Sequence, residues 1–293
     1  MLKLADNMLK MLRLSVALLP VTSLASCIYD GEAGCMQYAI KPCLANNQGV
    51  QLSDTTVKNI SAYLFTEGTF ERAVTAESDG RFIVSFNKSH DSSLVLFGYP
   101  TGDSLSVNIP KEGGSIEGVA VTLLSSTGNS SPRGLYYGCF NYTPSSSVSA
   151  GKEISVSMCT ERATVHVVVE NLTTMYGSGG DYNIELRGLR NELEFNDTIS
   201  GDSITYTPEA SFDNKENLCS NAVNTLPTKT GDSLQVTIYR NDKLIWQSAK
   251  DGDGNYVTLS GGDDKALLVD VEHRDAGIQV MSWSDYTVST IIN

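Results

Sequence analysis

The residue with the most definite chemistry in this chain is Cys27, preceded by Leu24, Ala25 and Ser26. A leucine three places before a cysteine, with two small residues between, is the lipobox pattern. In that pattern the thiol takes up a diacylglycerol, the peptide before it is cut away, and the acylated cysteine becomes the first mature residue. The elements that would present Cys27 to such chemistry are a basic start (Lys3, Lys10, Arg13) and a mostly apolar run from Leu14 to Leu19. Charged start, short apolar core and small residues before a processing point are the three parts of a secretory signal. Residues 1–26 therefore read as a lipoprotein signal peptide. Ordinary cleavage near Ala25, with Cys27 left as a plain thiol, is the lesser alternative. Met8 competes with Met1 as the start, because Met8-Leu9-Lys10-Met11 repeats the character of Met1-Leu2-Lys3.

Other groups with chemical potential are weaker. Asp251-Gly252-Asp253-Gly254-Asn255 places oxygen side chains at alternate positions, as a calcium loop does. It departs from that loop at the sixth place, where Tyr256 replaces glycine, and at Gly262, where a bidentate glutamate belongs. A β-turn explains Asp and Gly here more simply, so Asp251, Asp253 and Asn255 stand as a weak calcium candidate and no other metal site is expected. His166 lies in a valine run and reads as a buried or edge histidine, whereas His90 and His273 sit in polar surroundings. No nucleophile elbow, zinc-protease helix or phosphate loop occurs, so neither an enzyme nor a cofactor-binding protein is expected. Asp-Ser/Thr triplets at Asp54, Asp103, Asp197, Asp202 and Asp232 resemble the O-glycosylation triplet of Bacteroidetes envelope proteins, and equally resemble turns that lead into strands.

Beyond Cys27 five cysteines remain (Cys35, Cys43, Cys139, Cys159, Cys219), an odd number at spacings that match no zinc pattern. An envelope location permits disulfides, with Cys35–Cys43 and Cys139–Cys159 the candidate pairs and at least one buried free thiol expected.

The chain has 293 residues and a formal net charge of −13. Loss of the leader leaves 267 residues and removes three basic side chains and one acidic one, which moves the charge to −15. An acidic surface repels phosphates, which disfavours nucleic acid as a partner, and it repels anionic headgroups. Membrane attachment must then come from acyl chains rather than from a polybasic patch. No later apolar run is long enough to span a bilayer.

Residues 27–50 have no usable period and read as a lipidated tether. From Val57 onward short β-branched and aromatic runs alternate with Gly, Asn, Asp and Ser. The first series is Ile60–Phe65, Phe82–Phe86, Leu94–Tyr99, Val119–Leu124, Leu135–Phe140 and Ile154–Met158, with a long loop at Ser126–Pro132. A second series opens with Thr164–Val169, nearly continuous in β-formers as a strand buried on both faces should be. It continues through Tyr182–Leu186, Glu192–Phe195, Ser203–Tyr206, Leu234–Tyr239, Lys243–Gln247, Tyr256–Leu259, Ala266–Val271 and Ile278–Trp283. Arg240-Asn241-Asp242 is a hairpin turn signal. Two runs of short strands with scarcely any helical spacing predict an all-β protein of two tandem β-sandwiches, residues 51–160 and 161–293. At the end, Tyr286, Val288, Thr290 and Ile292 alternate toward one face, as a groove-filling strand would, although a last ordinary strand or a tail fits equally.

Several short stretches together resemble one family. They are the opening from Cys27 to Cys35 (Cys-Ile-Tyr-Asp-Gly-Glu-Ala-Gly-Cys), Leu135-Tyr136-Tyr137-Gly138, Glu161-Arg162-Ala163-Thr164-Val165-His166-Val167, and Ile278-Gln279-Val280-Met281-Ser282-Trp283. Their order and spacing are similar to those of the Bacteroidetes fimbrial anchor lipoproteins, the FimB-like, fimbrillin-A-associated anchor subunits. The resemblance implies two transthyretin-like sandwiches and a position at the cell-surface base of a fimbrium. It implies a covalent acyl lipid on Cys27, a fimbrillin stalk subunit as partner, and assembly by strand complementation, in which a donated strand fills an open sheet edge. A tip or accessory adhesin of the same fold, or a surface glycan-binding lipoprotein, are the rival expectations.

Overall fold

The computed structural model describes residues 35–53, 57, 59–124, 132–145, 151–273 and 277–292. The lipobox, the loop at Ser126–Pro132 up to residue 131, and the Asp54 triplet lie outside the described residues. The described chain is all-β, as expected, with three sheets and two helices among the described residues.

The first sheet has seven strands: β1 (Cys35–Ala45), β2 (Asn59–Thr66), β3 (Thr69–Val74), β4 (Phe82–Asn87), β5 (Ser92–Tyr99), β8 (Tyr136–Tyr142) and β9 (Glu153–Thr160). Their order is β3-β2-β5-β8-β9-β1-β4. This sheet folds over on itself. Rings from β4 and β8, three places apart in the order, touch: Phe86 stacks on Tyr142 at 5.2 Å and meets Phe140 at 5.6 Å. Tyr38 of β1 lies 6.0 Å from Tyr142. The fold-over encloses a core of Tyr38, Ile40, Leu64, Val84, Leu96 and Met158, all at most 1 % exposed. Gly138 permits the fold at the β8–β9 seam, because a Cβ there would sit 2.9 Å from the Ser157 carbonyl and the Met158 side chain.

Two corrections concern this sheet. Residues 27–50 are not all tether, because Cys35–Ala45 forms β1, paired to β4 on one side and β9 on the other. Its strand period is carried by Tyr38, Ile40 and Leu44, which face the core. Pro42 is tolerated because pairing with β4 ends at Ile40, so its missing N–H falls beyond the ladder. The pairs Cys35–Cys43 and Cys139–Cys159 do not form; Cys43, Cys139, Cys159 and Cys219 are free thiols. Cys35 and Cys43 share one extended strand, which separates them by roughly 26 Å, far beyond disulfide reach. The β8–β9 register sets Cys159 opposite Tyr137 and not Cys139.

The second sheet runs β13 (Ala210–Phe212), β14 (Leu218–Ser220), β10 (Ala163–Glu170), β18 (Asp264–Asp270), β19 (Ile278–Ser282), with β15 (Val223–Thr225) also on β10. The third runs β17 (Lys243–Ser248), β16 (Gln235–Arg240), β11 (Tyr182–Glu194), β7 (Ala120–Leu123), β6 (Leu105–Val107), with β12 (Ile199–Tyr206) on β11. A core of Val165, Val167, Val169, Ile184, Leu186, Val236, Ile238 and Leu267 lies between these two sheets. The expected turn between β16 and β17 is present: Asn241 and Asp242 both take left-handed φ, as a type I′ hairpin demands. Tyr256–Leu259 forms no strand, although Val257 and Leu259 are buried.

The third sheet joins the two strand series. β6 and β7 come from the first series, yet β7 pairs with β11 through Val121 and Leu193. Behind this junction Tyr63, Phe65, Val95 and Phe97 of β2 and β5 pack on Phe195, Leu193, Ile199 and Leu226. β2 and β5 are thus buried on both faces, with Phe195 reaching within 4.8 Å of Phe97 and 5.0 Å of Tyr63. Each fully buried side chain of this size contributes about 1.5–3 kcal/mol.

The helices are α1 (Leu172–Tyr176) and α2 (Trp283–Ile292). The terminal segment is therefore helical rather than a strand, which corrects the expectation for Tyr286, Val288, Thr290 and Ile292. Ser282 caps it: its hydroxyl accepts the Asp285 N–H at 3.0 Å and donates to the Asp285 carboxylate at 2.6 Å. Trp283 and Tyr286, one helical turn apart, cover Val168 and Ala266 on the outer face of β10 and β18. With Val165, Val167 and Val169 on the inner face, β10 is buried on both sides, as its sequence predicts.

Candidate functional site

The surfaces able to act are sheet edges and the cavities beside them. β17 pairs only with β16, so its outer backbone edge is unpaired by any strand among the described residues. Beside it lies a groove of about 430 Å³ lined by Tyr176, Arg240, Asn241, Lys243, Leu244 and Ile245. Leu244 is 46 % exposed there, an apolar side chain presented on a strand edge that no other described strand covers, although the Ile245 carbonyl accepts the Tyr176 hydroxyl at 3.5 Å. Lys243 and Arg240 add positive charge to this end of an acidic chain; Arg240 is held by the Gly179 carbonyl and lies 5.7 Å over the Tyr182 ring.

A second cavity, about 390 Å³, opens where the two strand series meet and is lined by Glu161, Asp197, Thr228, Lys229 and Gly261 among others. Glu161 lies on the two-residue link from β9 to β10, and Asp197 on the left-handed turn from β11 to β12. Burial, with the nearby Asp197 carboxylate, pushes the Glu161 carboxyl up to about 8. Burial also raises Asp197. Burial likewise raises the thiols of Cys139 and Cys159 and pushes Cys219 up to about 11, which keeps them protonated and poorly nucleophilic.

The residues singled out in the sequence fall in separate places. In the Asp251 loop, Asp251 Oδ1 accepts the N–H groups of Asp253 and Asn255 at 3.0 and 2.8 Å, and Oδ2 faces the Asn255 amide at 3.4 Å. Its oxygens are occupied in holding a turn, closed by a bridge between Lys250 and Tyr256. His90 meets Glu67 at 2.8 Å on the surface. His166 lies beneath Trp283, rings stacked at 3.7 Å, with Nε2 3.2 Å from Asp264. Burial lowers its pKa more than Asp264 raises it, and the stack on Trp283 and the contact to Asp264 occupy it as the buried or edge histidine that the sequence suggests. The hydroxyls of Ser104, Thr198 and Ser203 lie on exposed residues, while Ser233 is half-buried.

Sequence reasoning missed the grouping of Asp270, Glu272 and His273, whose ligand atoms lie within 4.8 Å of one another. Burial opposes ionisation of Asp270, but hydrogen bonds from Asn171, from His273 and from two backbone N–H groups outweigh it and bring the carboxyl to about 2. Those bonds satisfy the carboxylate without a cation. The short spacing of the three residues was the available signal.

The fold defines an all-β sandwich protein with exposed strand edges. The family model for fimbrillin-A associated anchor proteins Mfa1 and Mfa2 matches residues 32–280, and the chain belongs to that family. Among solved structures it is similar to the fimbrial anchor protein Mfa2 from Porphyromonas gingivalis (14 % identity, TM-score 0.62, covering 84 % of this chain and 97 % of that one). A candidate adhesin from Bacteroides ovatus is also similar (15 % identity, TM-score 0.60, 85 % and 94 %). So is a candidate polysaccharide-binding protein from Bacteroides thetaiotaomicron (13 % identity, TM-score 0.58, 80 % and 90 %). No curated protein matches the sequence.

Proposed function

We propose that this chain is a lipid-anchored fimbrial subunit that attaches a fimbrial stalk at the outer membrane. The observation that carries this reading is the junction of two signals. A lipobox cysteine stands at residue 27, and the anchor-family match starts at residue 32, only five residues later. Cys27 would carry the acyl lipid, residues 28–34 the reach to the membrane, and the sandwiches the contact with a fimbrillin subunit. Strand complementation needs an edge with free N–H and C=O groups beside an apolar groove, and the β17 edge with Leu244 is of that kind. The adhesin reading is supported by the likeness to the B. ovatus protein, and it predicts a different place on the fimbrium.

The test is immunogold microscopy of wild-type cells beside a Cys27→Ala strain. The anchor reading expects gold at the fimbrial base and fimbriae shed by the mutant. Gold at tips or along shafts, with fimbriae still attached in the mutant, would replace it with the adhesin.

A further inference from the structure

We propose that the β1–β9 pair is a shear clamp through which this protein bears tension between membrane and fimbrium. The proposal rests on the anchor reading for the source of the tension, and on the strand order alone for the response. β1 begins at Cys35, eight residues after Cys27, so a lipid on Cys27 can stand no more than roughly 28 Å from the start of β1. Any pull from the membrane therefore enters the body at the N-terminal end of β1.

The pull leaves through the other half. β9 ends at Thr160 and β10 starts at Ala163, so the second half is joined covalently to the C-terminal end of β9. β1 and β9 are neighbours and run parallel, paired from Ala39↔Glu153 to Ala45↔Cys159. In a parallel pair the start of one strand and the end of the other lie at opposite ends of the ladder. Tension between Cys27 and the second half then slides β1 along β9, loading every bond of the ladder together. An antiparallel pair pulled from adjacent ends would instead open one bond at a time.

The side chains resist the same displacement. β1 is held on its other edge by β4 over Cys35↔Asn87 to Ile40↔Phe82. Tyr38, 1 % exposed, sits between Phe86 at 5.4 Å and Tyr142 at 6.0 Å, and Ile40 is fully buried. Sliding by two residues would drag Tyr38 out from between these rings and move Ile40 to its place. At the far end Asn47 donates from its amide to the Gly261 carbonyl, and Gly261 lies against the Thr160 carbonyl, so the exits of β1 and β9 are tied to the second half side by side.

The experiment is single-molecule force spectroscopy on the mature chain, with one handle at residue 27 and the other at one of two surface positions. A handle at Ser260, exposed beside the end of β9, loads the pair in shear. A handle at Lys88, exposed next to Asn87 and hence beside the start of β1, peels β1 from β4. The clamp predicts a clearly higher rupture force in the first geometry at equal loading rate, since forced unfolding is set by the unfolding barrier and only the first geometry loads the β1–β9 ladder bonds together. It also predicts that Ile40→Ala lowers the Ser260 force more than the Lys88 force. Equal forces in the two geometries overturn the clamp. Because the chain is pulled without membrane or fimbria, that failure would leave the anchor reading untouched, and shed or retained fimbriae in the Cys27→Ala strain decide the anchor reading separately.

Discussion

Replacing Glu161 by glutamine should make the protein more stable at alkaline pH and leave it unchanged in acid. The carboxyl titrates at about 8 in the folded chain against an ordinary value of 4.5, because it is half-buried, with the Asp197 carboxylate nearby, at the joint between β9 and β10. A carboxyl raised in this way keeps its proton longer in the folded than in the unfolded chain. Between pH 4.5 and 8 the folded state binds more protons, so stability falls as pH rises across that window and levels off above it. The full shift corresponds to a ceiling of roughly 5 kcal/mol. The carboxyl borders an open cavity of about 390 Å³, where water relieves part of the burial cost, and about 2 kcal/mol is the expected loss. Glutamine keeps the shape and removes the ionisation. Urea titrations at pH 3.5 and pH 8.5, read by the fluorescence of Trp246 and Trp283, should give equal midpoints for Glu161→Gln and wild type in acid. At pH 8.5 the variant's midpoint should be higher by about 1 M. Parallel midpoints at both pH values would refute the argument, since they would mean that Glu161 ionises in the folded chain at no cost.

Phe195→Ala should cost about 3–5 kcal/mol, because Phe195 is fully buried and reaches Tyr63, Phe65 and Phe97 across the junction; calorimetry should show the single wild-type transition splitting into two, and an unsplit peak would argue against a shared core. Ser282→Ala removes the cap of α2 and should cost about 1 kcal/mol, seen as faster amide exchange from Trp283 through Tyr286 with the exchange of β16 unchanged. Thiol titration without reductant should find Cys139, Cys159 and Cys219 slow in the native protein and, together with Cys43, reactive in denaturant; thiols missing from the denatured count would mean disulfides.

The strand pattern from Ile60 onward was legible because alternating apolar residues and turn formers agree there, and the valine run of β10 announced burial on both faces. β1 was obscured by Pro42 and by the turn formers before it, although Tyr38, Ile40 and Leu44 keep the strand period. β13, β14 and β15 have three residues each, too few for any period to register. Tyr256–Leu259 shows the converse: Val257 and Leu259 are buried, but their backbone bonds go singly to Ala249, Leu234 and Thr228 rather than to one partner strand. At the C-terminus the alternation of Tyr286, Val288, Thr290 and Ile292 competed with a cap signal, Ser282 followed three residues later by Asp285, and the cap prevailed because Trp283 and Tyr286 then bury together. The Glu161–Asp197 cavity could not be foreseen, since only the folded junction brings a link and a distant turn to one place.

The loan of β6 and β7 to the other half's sheet has a consequence for biogenesis. A chain synthesised from its N-terminus presents β2, β5 and β7 well before β11, and Thr122 must wait for Glu192, 70 residues downstream. Until then Phe65, Val95 and Phe97 have no Phe195 to cover them, leaving an apolar face and an unpaired edge on the same intermediate. Such species aggregate readily, so folding of this protein should depend on a holding chaperone that recognises an exposed aromatic sheet and lets go once residue 195 has arrived.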